Sequence, residues 1–140
     1  MDTGLILSDE TQATGFLAAA ESAGELPPVS LLLLLTDDRA RLLLALGVDG
    51  VPDDPPQDER IHALTPVLCE LARSQLCCGV LLAVGRYGDP TPRGGDFGWH
   101  DAVYQAAATA VLECHGAYVV TPFGVRRVRP LAAPPGTLVA

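Results

Sequence analysis

Leu76-Cys77-Cys78-Gly79-Val80-Leu81-Leu82-Ala83-Val84 runs through Gly85-Arg86-Tyr87 into Gly88-Asp89-Pro90-Thr91-Pro92-Arg93-Gly94-Gly95-Asp96, and the reading of the fold turns on this stretch. The first run is apolar without alternation, the pattern of a strand covered on both faces. Gly79 is expected to let a covering element come close. The Gly- and Pro-rich segment after it is a loop. Beyond the loop, Trp99, Val103, Ala106, Ala110 and Cys114 line one side of a helix predicted over 99–114, with Gly116 closing it in the C′ position. Strand, loop and helix in that order are a building unit of α/β proteins.

Upstream, Leu5-Ile6-Leu7 and the cap candidates Ser8-Asp9 precede a first helix that ends near Gly24 and is stopped by Leu26-Pro27-Pro28. Val29 to Thr36 is a second unbroken apolar run, expected as a central strand. Asp37-Asp38-Arg39 supplies turn chemistry before Ala40 to Val48, so the two runs form an antiparallel hairpin. The acidic, proline-rich stretch 49–59 reads as an exposed connector. Ile61, Leu64, Leu68 and Leu71 then recur at helical spacing. Pro66 is costly inside a helix, which predicts Thr65 as N-cap and Pro66 at the first helical position after an irregular turn around Ile61. Downstream, Ala117–Thr121 and Val125–Val128 form a second hairpin around Pro122-Phe123-Gly124. The fold class is α/β: one three-layer αβα domain over 1–130, a mixed sheet with two hairpins, about three helices, and a loosely ordered tail at 131–140.

At 140 residues, 49% hydrophobic and mean hydropathy +0.28, the chain has material for one sizeable core. Aromatics are only 5%, so Leu, Val and Ala must build it. A formal charge of -8 argues against nucleic-acid binding, which needs a clustered basic surface. The one basic cluster, Arg126, Arg127 and Arg129, reads as a solvated edge or as partners for surface carboxylates. Cys69, Cys77, Cys78 and Cys114 lie in apolar or helical segments, and Met1-Asp2-Thr3 opens no signal sequence, so a cytoplasmic setting with reduced thiols is expected. Adjacent Cys77 and Cys78 suit two small packed side chains better than chelation. The Leu31–Leu35 run is too short to span a bilayer. Lysine is absent, and no phosphate-binding, dinucleotide-binding or nucleophile-elbow motif occurs.

The element order, with Gly88-Asp89-Pro90-Thr91-Pro92 and Asp96 in register, resembles the JAB/JAMM fold, specifically its RadC-like branch, over roughly residues 29–128. That resemblance implies a zinc site of two histidines and an aspartate, with a glutamate on an early strand. The histidine positions fall on Ala83 and Gly85, which bear no ligand atom. Arg93 stands where the family has serine, and no glutamate occurs between Val29 and Val51. Of the implied set only Asp96 remains, and a single carboxylate does not hold zinc. No metal and no cofactor is therefore expected, and Asp96 reads as a helix N-cap.

Two sets of residues remain as site candidates. Arg86, Asp96, His100 and Arg93 could line a small ligand pocket at the former metal position, with Asp96 and His100 one helical turn apart. Tyr87, Phe97 and Trp99 are aromatic candidates for protein contacts around the loop, with Trp99 weighed also as a core residue. His62 lacks a spaced ligand partner, and His115 is expected at the end of the third helix, where a cation complements the dipole. The leading expectation is a non-catalytic JAB/RadC-like module acting through protein–protein interaction, with a homodimer as one form. The alternative is a small-ligand-binding protein or hydrolase with a remodelled pocket. No membrane association is expected.

Overall fold

The computed structural model describes residues 5–25, 30–49 and 55–129. Helix α1 (Glu10–Ser22) is followed by strands β1 (Ser30–Thr36) and β2 (Leu42–Asp49), helix α2 (Gln57–Arg73), strand β3 (Gly79–Gly85), helix α3 (Gly94–Ala110), and strands β4 (Glu113–Thr121) and β5 (Gly124–Arg127). The strands form one mixed sheet in the order β2-β1-β3-β4-β5. β3 and β4 run parallel, as the intervening α3 crossover requires, and the other neighbours are antiparallel. Both expected hairpins are present. The expected tail at 131–140, the Leu26-Pro27-Pro28 stop, Val29 and the middle of the acidic connector lie outside the described residues.

Alternation along β1 divides the core into two layers. Leu31, Leu33 and Leu35 join Leu64, Leu68, Trp99 and Val103 under α2 and α3. On the other face, Leu34 packs with Leu7, Leu17, Leu81, Ala83 and Tyr118 under α1. The molecule is thus a three-layer αβα sandwich. β1, between its terminal Ser30 and Thr36, and β3 are apolar because each is covered on both faces by helices and on both sides by strands. Trp99 and Tyr118 are the aromatic members of a core that is otherwise aliphatic.

Two helix boundaries differ from the sequence expectation. α2 runs unbroken from Gln57 through Pro66. The proline lies on the solvent side, as does His62, whose carbonyl Pro66 cannot serve, so water can satisfy the freed group. Thr65 does not cap a helix: its hydroxyl donates back to the Ile61 carbonyl at 2.7 Å. α3 starts at Gly94 and stops at Ala110, because Val111 adopts a left-handed conformation (φ 60°) and turns the chain. Glu113, Cys114 and His115 therefore belong to β4, and His115 is a buried strand residue with no helix dipole to complement.

Candidate functional site

The carboxyl end of β3 delivers Arg86 to the mouth of the loop, and the loop wraps around its guanidinium. Nη1 donates to the carbonyls of Tyr87 (3.0 Å) and Asp89 (2.7 Å), and Nη2 donates to the Thr91 carbonyl (2.9 Å). Nη2 and Nε also bond the Asp96 carboxylate, at 2.9 Å and 3.2 Å. A guanidinium has five N–H donors, and these contacts engage all of them. Asp96 is committed to the same cluster. It is 4% exposed, and besides Arg86 it accepts the backbone N–H of Arg93 at 2.8 Å.

The N-cap expectation for Asp96 needs correction. Arg93 occupies the N-cap position, and Asp96 sits in the first turn of α3, reaching back to the Arg93 N–H. The satisfied donor belongs to the cap residue instead of to the turn that follows. A carboxylate here also favours the positive end of the helix.

The loop has its own internal bracing. Asp89 accepts the Thr91 N–H at 2.7 Å, and hydrogen bonds from Thr91, its hydroxyl first, hold the Asp89 carboxyl below its usual range. Gly88 takes φ +90°, and the Arg93 guanidinium lies over it where a side chain would otherwise stand.

His100 does not join this group. Its Nδ1 lies 3.0 Å from the Asp101 carboxylate, and its ring packs on Tyr104 with centroids 4.6 Å apart. Among the described residues no hydrogen bond or ion pair links His100 to Arg86, Asp96 or Arg93. Of the four pocket candidates, Arg86 and Asp96 come together as a closed pair, Arg93 contributes its backbone and overlies Gly88, and His100 stands apart.

The aromatic candidates also separate. Trp99 is buried in the α2–α3 layer with the Arg60 guanidinium 5.6 Å from its ring centre, which removes it as a surface anchor. Phe97 is partly buried against the same core. Tyr87 is 62% exposed on the loop. Phe123, not singled out in the sequence, is 80% exposed in the β4–β5 turn. That turn lies against the loop, since a methyl group at the adjacent Gly124 would touch the Pro90 ring at 3.5 Å. The tight Pro-Phe-Gly turn was the signal for it: an aromatic at the tip of a two-residue turn has nothing to pack beneath it.

A second polar cluster at the amino end of β3 was not foreseen. Thr36 Oγ1 on β1 and His115 Nε2 on β4 are 2.9 Å apart, and the bond crosses β3 above Gly79. A Cβ at Gly79 would come within 2.5 Å of both atoms, so what approaches the glycine is this side-chain pair, not a covering element. His115 Nδ1 is 3.6 Å from Glu113. Burial pushes the His115 pKa down, with the Glu113 charge opposing the shift. Hydroxyl, imidazole and carboxylate stand in the order of a nucleophilic triad, but Thr36 is 0% exposed and no substrate can reach its oxygen.

Burial makes Cys77 and Cys114 poor nucleophiles. Desolvation raises the Cys77 pKa and pushes that of Cys114 up to about 11. Cys77 is buried as expected, whereas Cys78 is exposed just before β3 begins. Arg127 and Arg129 both reach Glu10 at the start of α1, so two of the three clustered arginines serve a surface carboxylate. Among the described residues no three His, Cys, Asp or Glu side chains gather where they could hold a metal ion, and no helix is long and apolar enough to cross a membrane. A zinc site of the JAB/JAMM kind does not fit: Ala83 and Gly85 lack ligand atoms, and Asp96 is committed to Arg86. No protein-family model matches the chain, and a search of curated proteins finds no match either.

Proposed function

We propose that this chain is a non-catalytic JAB/RadC-like module that works through protein contacts. The observation that carries the reading is the Arg86–Asp96 pair. At the place where the sequence resemblance implies a zinc ion, the chain supplies its own cation. The guanidinium neutralises the one remaining ligand residue and binds three loop carbonyls, holding in shape a loop that no longer serves a metal. The guanidinium has no N–H left for a small ligand and Asp96 is almost fully buried, which weighs against the remodelled-pocket reading. The exposed Tyr87 and Phe123 on the same side of the molecule suit a contact surface, since aromatic side chains are frequent anchors of such interfaces.

The test is a metal and activity measurement on the chain purified without chelator. Zinc is expected well below one equivalent, with no hydrolysis of peptide or isopeptide substrates before or after zinc is added. Near-stoichiometric zinc accompanied by hydrolysis would overturn the reading.

A further inference from the structure

The nine basic residues of the chain are all arginines, and most are already engaged. Arg41, Arg73, Arg86, Arg127 and Arg129 each pair with a carboxylate, and Arg60 lies buried against Trp99. Arg93 and Arg126 differ. Both are exposed, and neither guanidinium forms a salt bridge among the described residues.

The fold brings these two arginines to one face of the loop. Arg93 reaches back over Gly88, with Nη2 2.9 Å from where a Cβ would stand. Arg126 is two residues along β5 from Gly124 and so shares its strand face, the one turned toward Pro90. Between them, Asp89 feels both charges, which add to the larger effect of its Thr91 hydrogen bonds in lowering its pKa. With the Arg86–Asp96 pair included, three guanidiniums stand against two carboxylates, a local cationic excess in a chain of formal charge -8. The exposed rings flank this excess, since Tyr87 adjoins Gly88 and Phe123 adjoins Gly124.

We propose that this face docks an acidic segment of a partner protein, whose carboxylates meet Arg93 and Arg126 while an apolar side chain of the same segment packs on Tyr87 and Phe123. Charge selects this occupant. A guanidinium offers a carboxylate two parallel N–H donors, and an aromatic ring beside it supplies contact area. The rest of a chain at -8 repels an acidic segment, so the segment is admitted here and turned away elsewhere. A nucleic acid could meet the same arginines and rings, but its phosphates would run on past them over an acidic surface, where binding needs a continued basic track. A short acidic peptide ends where the arginines end.

The inference rests on the protein-contact reading and names the chemistry of the partner. Fluorescence anisotropy on the full chain tests it, with a labelled peptide of glutamates around a central phenylalanine as the probe. The same peptide with glutamine for glutamate and an oligothymidylate of equal length run beside it. The glutamate peptide is expected to bind, more weakly as salt rises, and the other two are not. Arg126→Gln and Arg93→Gln are each expected to weaken binding about fivefold. Arg39→Gln, in the β1–β2 turn at the other end of the sheet, is expected to leave it unchanged. Arg126→Gln decides the matter if Arg93→Gln disturbs the loop. No binding of the glutamate peptide overturns the inference, as does equal binding of the glutamine peptide, or affinity that survives both arginine variants. Equal binding of the oligothymidylate overturns it too, by assigning the face to nucleic acid. Failure of the non-catalytic reading shows separately, as bound zinc with hydrolysis.

Discussion

β3 ends in a buried polar cluster on each side, and the two are built differently. At its carboxyl end two full charges, Arg86 and Asp96, are paired and then surrounded by backbone groups until no donor is left over. At its amino end the partners are a hydroxyl and an imidazole whose charged form burial disfavours, meeting over a glycine. The charged cluster persists because its bonding is saturated, and the neutral one because a side chain is missing. Open α/β sheets commonly bind ligands beyond the carboxyl ends of their strands. In this molecule that position is filled by the chain's own guanidinium.

Breaking the charged cluster should do the most damage. Arg86→Ala leaves the buried Asp96 carboxylate without its counter-charge and frees three loop carbonyls. Removing one partner of a buried pair costs about 3–5 kcal/mol, enough to lower the urea midpoint severely. Arg86→Met combined with Asp96→Leu removes both charges together and is expected to be less destabilised than Arg86→Ala alone. A double variant that loses the sum of the two single losses would mean the residues do not act as a pair.

The neutral cluster should break by addition. Gly79→Ala places a methyl group 2.5 Å from both Thr36 Oγ1 and His115 Nε2, so those side chains must part. Overpacking and the lost hydrogen bond together are expected to cost about 1–3 kcal/mol, read as a fall in melting temperature. A stability equal to wild type would show that the bond across β3 contributes nothing to holding β1 and β4 in place.

The sequence revealed one end of β3 far better than the other, for physical reasons. Unbroken apolar runs and Gly-Pro punctuation marked β1, β3, both hairpins and the loop, because burial on two faces and tight turns restrict residue type strongly. Arg86 and Asp96 could be named together as neighbours of the loop. That they would bond to each other, and not to a ligand, depended on how the loop folds around the guanidinium, and spacing does not encode that. The Thr36–His115 cluster stayed hidden because helical periodicity from Trp99 continues through Cys114, while the true stop is Val111. A β-branched residue in the left-handed region gives no warning of the kind glycine gives. Once His115 is assigned to a helix, Gly79 reads as room for a covering element instead of for this side-chain pair.

The smallest expected effect distinguishes the two clusters by pH. Burial lowers the His115 pKa below the ordinary value of 6.5, so as pH falls the unfolded chain takes up this proton before the folded one. The histidine's contribution to stability is therefore complete above about pH 6.5 and is lost as pH drops toward the lower folded value. Asp37 and Asp89, whose pKa values are also lowered, act in the separate carboxylate range below about pH 4. The cluster at the other end of β3 contains no histidine. Urea midpoints measured across mildly acidic pH should fall for the wild type and stay level for His115→Gln, whose amide can still bond Thr36 without titrating. Parallel pH profiles for the two proteins would show that the His115 imidazole does not carry the sensitivity.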